Sequence, residues 1–204
     1  AHIKGQIANL SRLKDGGAPT KANPLQEVLD KLTAAMPKSE SSTRLVERES
    51  KLKALLKQVE SSDQLRGYAG LVHYHIGQTQ YEQAVEFISQ GKHVPAKRRY
   101  LRAIRSFEKV PLNQQLEDAE TNLGTSVKAS SLSREIILHT IIYKSDCISD
   151  RERTKHRKKA NDRFQLLKSN HPLARFDGQR NVVAETESQA RRIPDPKRPR
   201  RRSP

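Results

Sequence analysis

The residue types that could do chemistry in this chain are seven histidines, one cysteine and a large excess of cations. His73 and His75 are two positions apart, so on a helix they point about 200° away from each other and cannot share a metal ion. One of them is therefore expected to be partly exposed. His139 lies inside the apolar run EIILHTIIY, where a hydrogen-bonded core histidine is expected rather than a base. On a helix, Cys147 would sit two turns from His139, too far for a nucleophile–base pair, and reads as a small buried filler. There is no glycine-rich phosphate loop and no serine elbow. The sequence thus points to no catalytic residue, no metal ligand and no cofactor, and to a non-enzyme; an enzyme acting on nucleic acid is the weaker alternative.

The cations carry more information. Formal net charge is +16, and residues 151–204 hold 17 Lys/Arg against 6 Asp/Glu. A balance this far from neutral favours polyanionic partners. Within HVPAKRRYLRAIRSFEK, Arg98, Arg102, Arg105 and Lys109 fall within about 40° of one line on a helical projection. Ala96, Tyr100, Ala103, Ile104 and Phe107 fall on the opposite side. Like charges at i,i+4 cost a few tenths of a kcal/mol, about 0.2–0.5 per pair, so an unmixed basic stripe is a feature to explain. It reads as an anion-binding stripe, or else as a solvated basic face or one neutralised inside the protein by Glu117, Asp118 and Glu120 of the next helix.

The stretch RERTKHRKKANDR, residues 151–163, is charged all round. Arg151, Lys155 and Lys158 share a face, with Lys159 beside them and Arg153 and Arg157 opposite. Such a helix is expected to project into solvent or track a polyanion. With the tail cations Lys197, Arg198, Arg200, Arg201 and Arg202 it forms the best nucleic-acid candidate, with a solubilising extension as the alternative. These contacts would go to phosphates and be salt-sensitive. KRPRRR could also act as a nuclear import signal in a eukaryotic host, and RRRSP as a phosphorylation target at Ser203.

The elements that must position these residues read as helices. Asn23 is an N-cap and Pro24 a first helical residue; Leu25, Val28, Leu29 and Leu32 follow at helical spacing, up to Pro37. A second helix covers about 43–60 with the stripe Leu45, Leu52, Leu55, Leu56 and Val59. Asp63 caps a third that ends near Gly77. Thr79 and Glu82 form a capping box for a fourth, stopped by Gly91. Pro95 starts a fifth, and Pro111 ends it and begins a sixth with Leu112, Leu116, Ala119 and Leu123. EIILHTIIY is apolar on nearly all sides and reads as a central buried helix, with a buried strand as the alternative. Another helix covers about 149–167. After Asn170 apolar periodicity is lost.

Tyr81, Ala84, Val85 and Ile88 are echoed by Tyr100, Ala103, Ile104 and Phe107 at 19 residues' distance. With Gly70, Tyr74 and Gly77 as a first helix and its turn, this stretch of about residues 65–111 resembles a tetratricopeptide repeat. The resemblance implies antiparallel helices with small residues at the crossing, all of these residues in the core, and protein docking. Ordinary helical-hairpin packing is the alternative. The spacing departs from that family's period of about 34 residues, and Pro111 comes early.

The expected fold is all-α: helical hairpins, tetratricopeptide-like or an irregular bundle. It divides into an N-terminal helical arm (1–62), a helical-hairpin core module (63–145), a basic charged helix (146–169) and a disordered basic tail (170–204). Only 34% of residues are hydrophobic, which supports a modest core. No apolar run approaches the ~20 residues of a membrane span, and AHIKGQIANL lacks the apolar stretch of a signal peptide. The single cysteine suits a reducing compartment. The expected function is a non-enzymatic binding or adaptor protein, intracellular (cytoplasmic or nuclear), with a helical module for a protein partner and basic segments for a polyanion, nucleic acid. The alternative is a structural or assembly subunit whose charge matches an acidic protein neighbour.

Overall fold

The computed structural model describes residues 23–35, 42–111, 113–123, 126–146, 148–176 and 178–194. Among these are eight α-helices and one short hairpin, so the fold is all-α, as expected.

Helix α1, Pro24–Ala35, starts where the sequence says: the Asn23 side-chain oxygen accepts from the Leu25 N–H at 3.0 Å. Leu25, Val28, Leu32 and Ala35 are its buried face. Helix α2, Ser42–Ser61, buries Leu45, Leu52, Leu55 and Val59. A 3-10 turn at Arg66–Tyr68 leads into α3, Ala69–Ser89.

Helix α3 corrects two expectations. Asp63 caps nothing; it pairs with Arg66 at 3.1 Å, and the helix opens at Ala69. Nor is there a break between Gly77 and Thr79. The Thr79 hydroxyl donates to the His75 carbonyl at 2.8 Å, one turn back in the same helix, and accepts from Arg48 Nε at 2.9 Å. Gly77 is present for space rather than for a turn, since a Cβ there would lie 2.8 Å from the Phe107 ring. The first-helix and second-helix patterns of the repeat resemblance therefore lie on one continuous helix. Its end is as expected. Gly91 takes φ +70°, its N–H bonds to the Ile88 carbonyl at 2.9 Å, and Lys92 N–H reaches Phe87 O at 2.8 Å. That pair of bonds is a Schellman motif.

Helix α4, His93–Glu108, starts two residues before Pro95. Proline is harmless there, because the first four N–H groups of a helix have no intrahelical acceptor. Helix α5, Gln114–Leu123, starts after Asn113, not at Pro111; the Asn113 side chain accepts from Leu116 N–H at 2.9 Å. Helix α6, Val127–Tyr143, contains EIILHTIIY and settles it as helix. It is buried on nearly all sides because α4, α7 and α8 surround it. Helix α7, Asp150–Asn170, opens with a full capping box between Ser149 and Glu152.

The expected disordered tail from 170 is corrected for its described part. Strands β1 (Arg175–Phe176) and β2 (Arg180–Asn181) pair antiparallel around Gly178, which has φ +67°. Asn181 then caps α8, Val182–Arg192, accepting from Ala184 N–H at 3.0 Å. Val182 and Thr186, one turn apart, are fully buried against α6, where the Thr186 and Ser133 hydroxyls lie 2.6 Å apart. So few apolar residues suffice because α6 supplies the rest of the surface. Residues 195–204 lie outside the described residues, as do Pro37, Leu112 and Cys147.

Neighbours in the chain are mostly neighbours in space: α1 on α2, α2 on α3, α3 on α4, then α4, α7 and α8 around α6. Three apolar clusters result. The first joins Val28, Leu52, Val59, Val72 and Leu116. The second joins Ala84, Tyr100, Ala103, Phe107 and Leu138. The third joins Leu132, Ile136, Leu167 and Val182. The first bridges the division expected near 62 and the third bridges the one near 145, so neither separates packing units. Helix α7 does not project from the fold. His156, Ala160 and Leu167, at helical spacing, bury one side of it.

Candidate nucleic-acid interface

The basic stripe of α4 is where the sequence puts it. Arg98, Arg102, Arg105 and Lys109 are all exposed, while Ala96, Tyr100, Ala103, Ile104 and Phe107 are buried beneath. On α7, Arg151, Lys155 and Lys158 are exposed. Lys159 is half-buried and faces Glu108 of α4 at 3.6 Å, so it belongs to the contact between the helices and not to the free face.

The two basic faces are brought together by a relation the sequence does not display. Lys97 of α4 pairs with Glu152 of α7 at 3.2 Å, and Glu108 of α4 with Arg163 of α7 at 3.5 Å. The α7 partner lies 55 positions beyond its α4 partner in both of these pairs, and 51 beyond it in Glu108–Lys159. An offset that varies by no more than one helical turn means that the two helices, both packed on α6, run in the same direction and roughly in register over about 16 Å. Arg151, Lys155 and Lys158 are then level with positions 96, 100 and 103 of α4. They alternate along the axis with Arg98, Arg102 and Arg105. Helical projection puts both rows on the solvent side of the Lys97–Glu152 and Glu108–Arg163 pairs.

The carboxylates that border this seam are engaged. The side-chain hydrogen bond from Lys97 holds the Glu152 carboxyl below its ordinary range. Glu108 meets both Lys159 and Arg163. By contrast, no ion pair joins any of the seven exposed cations of the two rows among the described residues. Asp162, exposed on α7, ends that row. Of the acids on α5, Glu117 is exposed, and the side chains of Asp118 and Glu120 are outside the described ones.

Beneath the seam α6 and α7 meet through polar groups that sequence reasoning missed as a set. Arg163 Nε lies 2.7 Å from the buried Glu135 carboxylate. Burial pushes the Glu135 carboxyl up to about 7, against the pull of Arg163. One turn further along α6, His139 Nδ1 meets His156 Nδ1 at 2.8 Å. Burial first, then His156 and Lys159, pull His139 down to about 3; His156 is lowered by burial and Lys159. Both imidazoles are neutral at pH 7, and the charge of this face comes from Lys and Arg alone. A four-residue spacing on α6 (Glu135, His139, Tyr143) was the only sequence signal for this row. Arg153 closes it, donating to the Tyr143 carbonyl at 2.6 Å.

His139 is a core histidine, as expected, and of His73 and His75 the second is only half-buried. Among the described residues no group of three or more His, Cys, Asp and Glu side chains could hold a metal ion, and no helix is long and apolar enough to cross a membrane. The tail cations Lys197, Arg198, Arg200, Arg201 and Arg202 lie outside the described residues.

The two repeat-like patterns face each other across the α3–α4 pair. The Tyr81 and Tyr100 rings lie 6.1 Å apart, and Ala84 and Ala103 are fully buried. Val85 and Ile88 are a correction: they are 44% and 41% exposed, since α3 at that end is covered on one side only. The geometry defines an all-α protein with a doubled basic face. The chain matches no protein-family model, no curated protein and no solved structure.

Proposed function

We propose that this is a non-enzymatic binding protein that holds a polyanion, nucleic acid, on the α4–α7 face, and docks a protein partner through its helical module. The observation that carries the reading is the pair of in-register rows of exposed, unpaired cations. Holding like charges side by side costs stability that a polyanion would return by releasing its counterions. The docking half rests on Val85 and Ile88, exposed on α3 near Glu82 and Glu86, and on the close α3–α4 crossing at Ala84 and Ala103, which is the tetratricopeptide-like element. The same exposed pair supports the alternative of an assembly subunit with a protein neighbour. An intracellular setting, where nucleic acid is found, goes with the first reading.

Salt separates the two. Changing Arg98, Arg102, Arg105 and Lys109 together to Gln is expected to weaken nucleic-acid binding and flatten its salt dependence by about 3–4 log units per log unit of salt, near 0.9 for each phosphate no longer neutralised. Unchanged affinity and slope in that variant would sink the polyanion reading of this face.

A further inference from the structure

We infer that the α4–α7 face takes double-stranded nucleic acid by its phosphate backbone, and not single strands; this rests on the polyanion reading above. Three observations converge on it.

The first is the position of the aromatic rings. Single strands without fixed shape are bound by stacking bases on exposed rings, worth about 1–3 kcal/mol per base. The chain has five Tyr, four Phe and no Trp, and every one of these rings is placed by the structure. None is exposed. On α4, Tyr100 and Phe107 point into the second cluster, away from the cations. On α7, Phe164 packs into the third cluster under Lys168, whose ammonium lies 4.6 Å from the ring centre. Tyr81 packs on Tyr100, and the Arg134 guanidinium carbon lies 5.4 Å from its ring centre. The exposed imidazole of His93 opens α4 on the same side of the helix as Tyr100, not among the cations.

The second is width. One helix, about 10–12 Å across, fits a major groove about 12 Å wide. Here two helices, each packed on α6, are linked at both ends by the Lys97–Glu152 and Glu108–Arg163 side chains, and buried Ala96, His156 and Ala160 fix each to the fold. A face two helices broad exceeds the width of one groove and suits contact across the backbone.

The third is spacing. Within each row the cations recur every three or four residues, about 4.5–6 Å along the helix axis, on helices held to the fold by buried side chains. A rigid ladder of charge gains most from a partner whose phosphates are already fixed, since no chain entropy is lost in aligning them.

The test is equilibrium binding of the full chain to a 16-base-pair duplex and to each separated strand, as DNA and as RNA, at two salt concentrations. Duplexes are expected to bind at least about tenfold more tightly than either strand, with a salt slope near −6 for seven neutralised phosphates and little change with base composition. Single strands binding as tightly as duplexes would overturn the inference and leave the polyanion reading standing. No binding of any probe at low salt would overturn both. Two variants assign the site: four Gln on α4, and Arg151, Lys155 and Lys158 to Gln on α7, each with its helicity checked by circular dichroism. Each should lower the duplex slope by roughly 3–4 and 2–3 respectively. Duplex binding unchanged in both variants would place it elsewhere on the chain and overturn the inference.

Discussion

His139 and His156 face each other across the α6–α7 contact, Nδ1 to Nδ1 at 2.8 Å, with 1% and 8% of their surfaces exposed. Such a bond needs one imidazole as donor and the other as acceptor, so it is complete only while at least one ring is neutral. Lys97, Lys155, Lys159 and Arg163 stand around it, with Glu152 the opposing charge on His156.

Acidification should therefore loosen this contact. Both folded-state pKa values lie below the ordinary 6.5, so the unfolded chain binds more protons and stability falls as pH drops below about 6.5. With His139 at about 3, on the order of 3 kcal/mol is withdrawn by pH 4. Thermal unfolding between pH 7 and 4 checks this. The double variant His139→Phe, His156→Leu should lose much of the dependence, and an identical pH profile in that variant would refute the assignment.

Glu135 acts in the opposite sense. Its folded-state pKa, raised to about 7, means that the native state holds its proton longer than the unfolded chain. Its contribution is present below about 4.5 and lost as pH rises through 7, a change on the order of 3 kcal/mol. Glu135→Gln should thus gain stability relative to the parent at pH 8 and not at pH 4. Arg163→Ala, which strands the buried carboxylate at pH 8, should cost about 3 kcal/mol. Denaturant titrations of both variants at the two pH values decide it.

Gly77→Ala tests why that glycine is there. In an open helix the change would stabilise by about 1 kcal/mol. Here the added methyl would lie 2.8 Å from Phe107, and crowding of this kind costs about 1–3 kcal/mol. A net loss is expected; a raised melting temperature would mean that Gly77 is not a packing residue.

Ala103 is fully buried where α3 and α4 cross, among Tyr100, Ile104 and Phe107. Ala103→Arg should cost more than about 4 kcal/mol and abolish cooperative unfolding. A melting curve like the parent's would show that the crossing is not core.

What could be read in advance was local. The Asn23 cap, the stop at Gly91, the buried faces of α1, α2 and α4 and the outward stripe from Arg98 to Lys109 each depend on residues within about a turn or two of one another. Helical spacing alone fixes such relations, whatever else the chain touches. The failures between Gly77 and Thr79 and after Asn170 show the limit. A glycine admitted to make room for Phe107, 30 positions away, looks in sequence like a glycine that ends a helix. Helix α8 has too short a buried face, Val182 and Thr186, to declare itself until α6 supplies its other half.

The sequence by itself determined that the chain is helical, strongly basic and provided with a cationic stripe opposite an apolar one. Only the tertiary structure decided that α4 and α7 run in the same direction at an offset of 51 to 55 residues, so that two ordinary basic helices become one face. Helix periodicity sets which side of a helix a charge occupies. Which helices come together, and in what register, is set by how Phe107, Leu167 and Val182 pack against Leu132, Ile136 and Leu138 of α6, and no local pattern encodes that.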